Sequence, residues 1–227
     1  MKEILNPKYS ENEEKLNVLT HAFGLVMSCI GLPFLLLKSS NFNGFWKPIS
    51  IIVFGISLVV LYAASTFYHA SKNAKLRRKL NIFDHAAIYV LIAGTYTPFT
   101  IIVLEGTLGW IVFGCTWAFA FIGIVLKLFY TGRYDKLSTV MYILMGWQII
   151  FVIKPLIQAF SMNGLQLLFA GGIFYTVGAL LYSSKKIRYN HAIFHVFVLL
   201  GSACHYICIY KYICNDMHSP TIQKHGK

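Results

Sequence analysis

The chain of 227 residues is 57% hydrophobic and only 12% charged, with a mean hydropathy of +0.61. A soluble fold carries about 45–50% apolar and about 25% charged residues, so too little polar surface is left here to face water. A soluble enzyme, a secreted domain and a disordered chain are excluded. The net charge of +12 does not indicate a nucleic-acid partner, because Lys and Arg form short clusters between apolar runs, the pattern that orients membrane helices.

A helix needs about 20 apolar residues to cross the hydrocarbon core. In chain order, residues 1–16 form a polar N-terminal segment with no cleavable signal pattern. Within it Ser10 and Glu13 match a capping box, which predicts a short surface helix before the first span. Seven spans follow, at Val18–Leu37, Ile49–Tyr68, Ile82–Leu104, Leu108–Phe129, Ser138–Gln158, Leu165–Ser183 and His191–Ile213. Residues 17–213 therefore predict an all-α fold, a seven-transmembrane helix bundle, and residues 214–227 a short polar tail. The connectors are short and rich in breakers, as in Ser161-Met162-Asn163-Gly164, and leave no room for a second domain. Pro98 and Pro155 should kink or end their helices. Gly171, Gly172 and Gly178 predict close helix approach. Trp46, Trp110 and Trp147 read as interfacial or packing aromatics. The five cysteines, an odd number in or beside apolar stretches, predict free thiols rather than disulfide staples.

Basic residues set the expected orientation. Lys2, Lys8 and Lys15 precede the first span. Lys72, Lys75, Arg77, Arg78 and Lys79 fill the second connector, Lys127, Arg133 and Lys136 flank the fourth, and Lys185, Lys186 and Arg188 fill the sixth. The alternate side carries Lys38, Lys47 and Lys154, then the tail with Lys211, Lys224 and Lys227. Positive charge marks the cytoplasmic side, so the N-terminus is expected in the cytoplasm and the C-terminus outside, in a multi-pass protein of the cell membrane.

An ionisable residue inside a membrane costs about 2.5–3.5 kcal/mol on insertion scales and is a functional hypothesis by default. Glu3, Glu11, Glu13, Glu14, Asp135 and Asp216 read as tail or loop acids, and Glu105 as the outer end of the third span. Asp84, at the start of that span, reads by itself as a helix acid favoured by the dipole. The histidines change its weight. His69 closes the second span with Ser65 one turn earlier, and His191 and His195 open the seventh. A spacing of four puts two imidazoles on one helix face. With the expected topology, His69, Asp84, His191 and His195 share one depth, just inside the cytoplasmic boundary. Zinc is the natural metal for such a set, since catalytic zinc takes three protein ligands plus a water. Asp84 would orient or deprotonate that water, and Ser65 could hydrogen-bond Asp84 or a substrate carbonyl. His21 and His205 lack partners at matching depth and read as packing or hydrogen-bonding residues. His85, beside Asp84 but turned about 100° from it on a helix, should line the bundle or the interface.

Ser65-x-x-x-His69, Asp84 and His191-x-x-x-His195, at the ends of the second, third and seventh spans, resemble the pattern of the hemolysin III family. That family belongs with the progestin and adipoQ (adiponectin) receptors and, more distantly, the alkaline ceramidases. Asp84-His85-Ala86-Ala87-Ile88-Tyr89 followed by Gly94-Thr95-Tyr96-Thr97-Pro98-Phe99 is similar to a signature of its bacterial members. The resemblance spans nearly the whole chain. It implies zinc on His69, His191 and His195, a water near Asp84, and Ser65 in support. The chain lacks the long N-terminal domain of the animal receptors, which argues against a hormone-receptor role.

Three functions follow as expectations. The first is a zinc-dependent hydrolase of a lipid amide or ester, with membrane lipid as substrate and a part in lipid homeostasis. The second is a non-enzymatic, receptor-like or homeostasis protein in which zinc is structural. The third is a cytolytic pore-former, which the family name suggests. A pore should carry polar stripes along several helices, whereas the ionisable residues here concentrate at one depth.

Overall fold

The computed structural model describes residues 9–40, 42–131, 135–184 and 186–214. Lys2, Glu3, Lys8, Arg133, Lys185, Asp216, Lys224, Lys227 and the polar tail after Cys214 lie outside the described residues, as do the side chains of Asp135 and Lys136. The described residues form no strand. Seven helices are long and apolar enough to cross a membrane: α1 Glu11–Ser39, α2 Trp46–Ala70, α3 Ala74–Val103, α4 Gly106–Tyr130, α5 Leu137–Ala159, α6 Met162–Ser183 and α7 Asn190–Ile213. The protein is an all-α multi-pass membrane protein of seven spans. Helices satisfy their own backbone hydrogen bonds in lipid, and their outward faces carry exposed apolar side chains such as Leu19, Phe23, Leu37 and Phe151.

The first helix starts earlier than its apolar run. Ser10 Oγ accepts from the Glu13 backbone N–H at 3.3 Å, and the helix continues unbroken to Ser39. The surface helix expected from the capping pattern is the opening of α1 itself. Glu11, Glu13 and Glu14 in its first turn suit the helix dipole, and nothing before Val18 breaks the helix. The two prolines act as expected. Beyond Pro98, α3 widens into a π turn over Phe99–Val103, and α5 tightens to a 3-10 turn over Gln148–Val152 before Pro155, because proline cannot donate to the helical ladder.

Helix α3 is the centre of the bundle. Of its apolar window 72% is buried, against 22% for α1, α4 and α5. It packs on α2 and α4, while α1 packs on α2 and α7, and α6 on α7. The α6–α7 contact is close at Gly178, where a Cβ would fall 2.6 Å from Cβ of Phe197. At one end Lys47 pairs with Glu105 at 2.7 Å and Trp46 meets the edge of Trp110 at 5.3 Å, in keeping with interfacial aromatics. All five thiols are free. At the other end the start of α1, the end of α2 and the starts of α3 and α7 come together.

Candidate metal centre

Three imidazoles converge at that end. His69 comes from the last turn of α2, and His191 and His195 from the first turns of α7. Nε2 of His191 lies 2.9 Å from Nε2 of His69 and 3.1 Å from Nε2 of His195. All three rings are buried, with candidate ligand nitrogens within 4.8 Å of one another. The spacing of four places two of them on one face of α7, and the fold brings the third from α2.

Their outer nitrogens determine the tautomers. Nδ1 of His69 is 2.6 Å from Oε2 of Glu14, whose other oxygen is bound by the Arg77 guanidinium. An ionised carboxylate only accepts, so Nδ1 of His69 carries the proton and Nε2 presents a bare lone pair. Nδ1 of His195 lies 3.3 Å from the backbone carbonyl of Asn17 and 3.2 Å from Oγ1 of Thr20. The carbonyl is an acceptor, so this ring is also protonated at Nδ1. Two bare nitrogens therefore face Nε2 of His191, whose single proton could serve only one of them. A cation resolves that conflict. Neutral imidazoles anchored through their far nitrogens by a carboxylate and a carbonyl are how proteins hold zinc, and these three could hold it.

An apolar cavity of about 140 Å³ adjoins the cluster. Asp84, His191 and His195 line it near that end, and Leu91, Ile92, Ile143, Phe194 and Val198 supply apolar wall. Asp84 is buried, with Oδ2 3.8 Å from Nδ1 of His85. His85 also lines the cavity, and its Nδ1 lies 3.0 Å from the Asn81 carbonyl. Ser65 is fully buried one turn before His69, and its Oγ has no hydrogen-bond partner among the described residues. Tyr9 stacks on His191, centroids 4.7 Å apart. Burial, with Tyr182 and Tyr68 adding to it, pushes its phenol well above the ordinary value, so it covers the cluster as a neutral hydroxyl.

Several residues here escaped the sequence reading. Glu14 is no tail acid: it sits on α1 and holds His69. Asn17 and Thr20 contact His195 or His69. His21 does have a partner at its depth, since its ring stacks on His195 with centroids 3.5 Å apart and planes 9° from parallel. Lys127, read as a charge flanking a loop, is buried on the cavity wall. A signal for the α1 residues was present. Asn17, His21, Gly24, Ser28 and Gly31 form a polar and small stripe at helical spacing in an otherwise apolar helix, and this stripe is its buried face. His205 hydrogen-bonds the Leu168 carbonyl at 3.0 Å, as a packing histidine should.

A family model described as Haemolysin-III related matches residues 9–206. The chain is 44% identical over 204 residues to the Hemolysin-3 homolog of Bacillus subtilis (strain 168), covering 90% of this chain and 96% of that protein. It is 43% identical over 201 residues to Hemolysin-3 of Bacillus cereus, covering 88% and 92%. It is also 31% identical over 218 residues to the Monocyte to macrophage differentiation factor of Homo sapiens, covering 92% and 87%.

Proposed function

The chain belongs to the Haemolysin-III related family, and from that premise we propose that it is a zinc-dependent hydrolase of a lipid amide or ester, acting in membrane lipid homeostasis. The observation that carries this reading is a cluster of three buried imidazoles beside an apolar cavity whose wall holds two of them, His191 and His195, together with the buried carboxylate of Asp84. The basic connectors support a cytoplasmic position for that end.

In this reading His69, His191 and His195 hold the ion, while Glu14 and the Asn17 carbonyl fix two of the rings. Zinc, when bound, would supply Lewis acidity toward a carbonyl and a more acidic water. Asp84 takes a proton from the water that attacks the acyl carbon and returns it to the leaving nitrogen or oxygen as the acyl bond breaks. Ser65 Oγ, buried with spare hydrogen-bonding capacity, supports that polar region. The walls formed by Leu91, Ile92, Ile143, Phe194 and Val198 hold an acyl chain and exclude water.

A structural zinc is the competing reading, favoured by the fact that the three ligands tie α2 to α7. Asp84→Asn separates the two. Asn keeps the size and one acceptor but cannot take a proton near neutral pH. The hydrolase reading expects retained zinc and lost release of fatty acid from acylated lipids in nanodiscs. A zinc-loaded wild type that cleaves nothing in a broad panel would leave only the structural reading.

A further inference from the structure

His21 is buried at 3% exposure, and neither of its ring nitrogens has a hydrogen-bond partner among the described residues. Its placement is nonetheless well determined. One face stacks on His195, and Tyr62 meets it edge-on with centroids 5.1 Å apart at 85°. The ring also lines the cavity that Asp84, His191 and His195 line. It is not alone in lacking partners. Oδ1 of Asn17, one turn earlier on α1, and Oγ of Ser65, one turn before His69 on α2, are likewise buried without one among the described residues. A buried polar group left unpaired costs free energy, and a phenyl ring would fill the same space without that cost. These unpaired atoms belong to residues that flank the three histidines on α1 and α2. Several other polar groups on the cavity wall are paired, Tyr175 with Ser202 at 2.8 Å, Trp147 with Thr176 at 2.9 Å, and Tyr96 with the Gly146 carbonyl at 2.8 Å, while His205 bonds through Nε2 and leaves its Nδ1 without a partner among the described residues.

We propose that His21 is a ligand-binding residue of this cavity, donating its ring N–H to the carbonyl oxygen of an acyl lipid whose head lies beside the histidine cluster. The proposal rests on the lipid-hydrolase reading and deepens it. It assigns to His21 the recognition of the carbonyl, and leaves ion binding to His69, His191 and His195. A neutral imidazole has one N–H to donate, and the stack on His195 holds it next to the ligand histidines without its joining them. No proton is transferred by His21 in this role.

The test is His21→Phe, which keeps the stack on His195 and the edge contact with Tyr62 but removes both nitrogens. Zinc content, thermal melting and the dissociation constant for a long-chain fatty acid are measured on wild type and variant in nanodiscs. The expected result is unchanged zinc, a melting temperature equal or higher, and fatty-acid binding weakened roughly tenfold, the scale of one lost hydrogen bond. His21→Gln, which restores a donor, should recover part of the affinity. Equal binding by wild type and His21→Phe would overturn the proposal and leave the hydrolase reading standing. A zinc-loaded wild type that binds no fatty acid would overturn both.

Discussion

Glu14 joins two segments that are far apart in sequence. One carboxylate oxygen faces Nδ1 of His69 and the other faces Arg77, so the first turn of α1 and the first turn of α3 together orient a histidine on α2. Outer partners of this kind typically change metal affinity by about 10- to 100-fold when removed. Glu14→Ala should therefore weaken zinc binding by about that factor, read by competition with a chelator of known affinity, while the helical content stays unchanged. Glu14→Gln, which can still accept from Nδ1, should fall between the two. Equal affinity in all three proteins would remove Glu14 from the centre. At this scale the sequence was half legible. His191 and His195 announce themselves because four residues make one helical turn, and His69 and Asp84 because they share their depth. Glu14 does not, because an acid in a polar N-terminal stretch looks solvated until the fold lays it against α2.

At the level of helices, length and hydropathy were enough to find all seven spans. The ends were less visible. Ser10 caps α1 seven residues or so before the apolar run begins, since capping and the dipole extend a helix beyond the part that lipid requires. Of the α6 glycines read as points of close approach, Gly171 and Gly178 are so, whereas a Cβ at Gly172 would meet only Trp147 at an ordinary 3.7 Å. At Gly178 the two helices are so close that a Cβ would lie 2.6 Å from Cβ of Phe197, and neither atom can swing aside as the end of a flexible chain could. Gly178→Ala should lower stability by about 1–3 kcal/mol, the usual cost of overpacking. Thermal melting in detergent measures it, and an unchanged melting temperature would show that α6 and α7 do not bear on each other there.

For the whole molecule, the arrangement around a buried α3 brings the ends of α1, α2, α3 and α7 to one side. From the charge of the connectors, that side is proposed to face the cytoplasm. Reporter fusions at Arg78 and at the C-terminus should report opposite sides, with Arg78 inside; the same side for both would contradict the topology. The fold was legible because lipid demands long apolar helices. The cavity was not, because its walls come from every one of the seven helices and no single helix carries its pattern.

Every functional step described above depends on three histidines holding one ion. The direct measurement is the zinc content of purified wild type and of His195→Ala, by elemental analysis after exhaustive dialysis. The account predicts about one zinc per chain in the wild type, the number one three-ligand site holds, and loss of that zinc in the variant. A wild type without zinc, or equal zinc in both proteins, would contradict it.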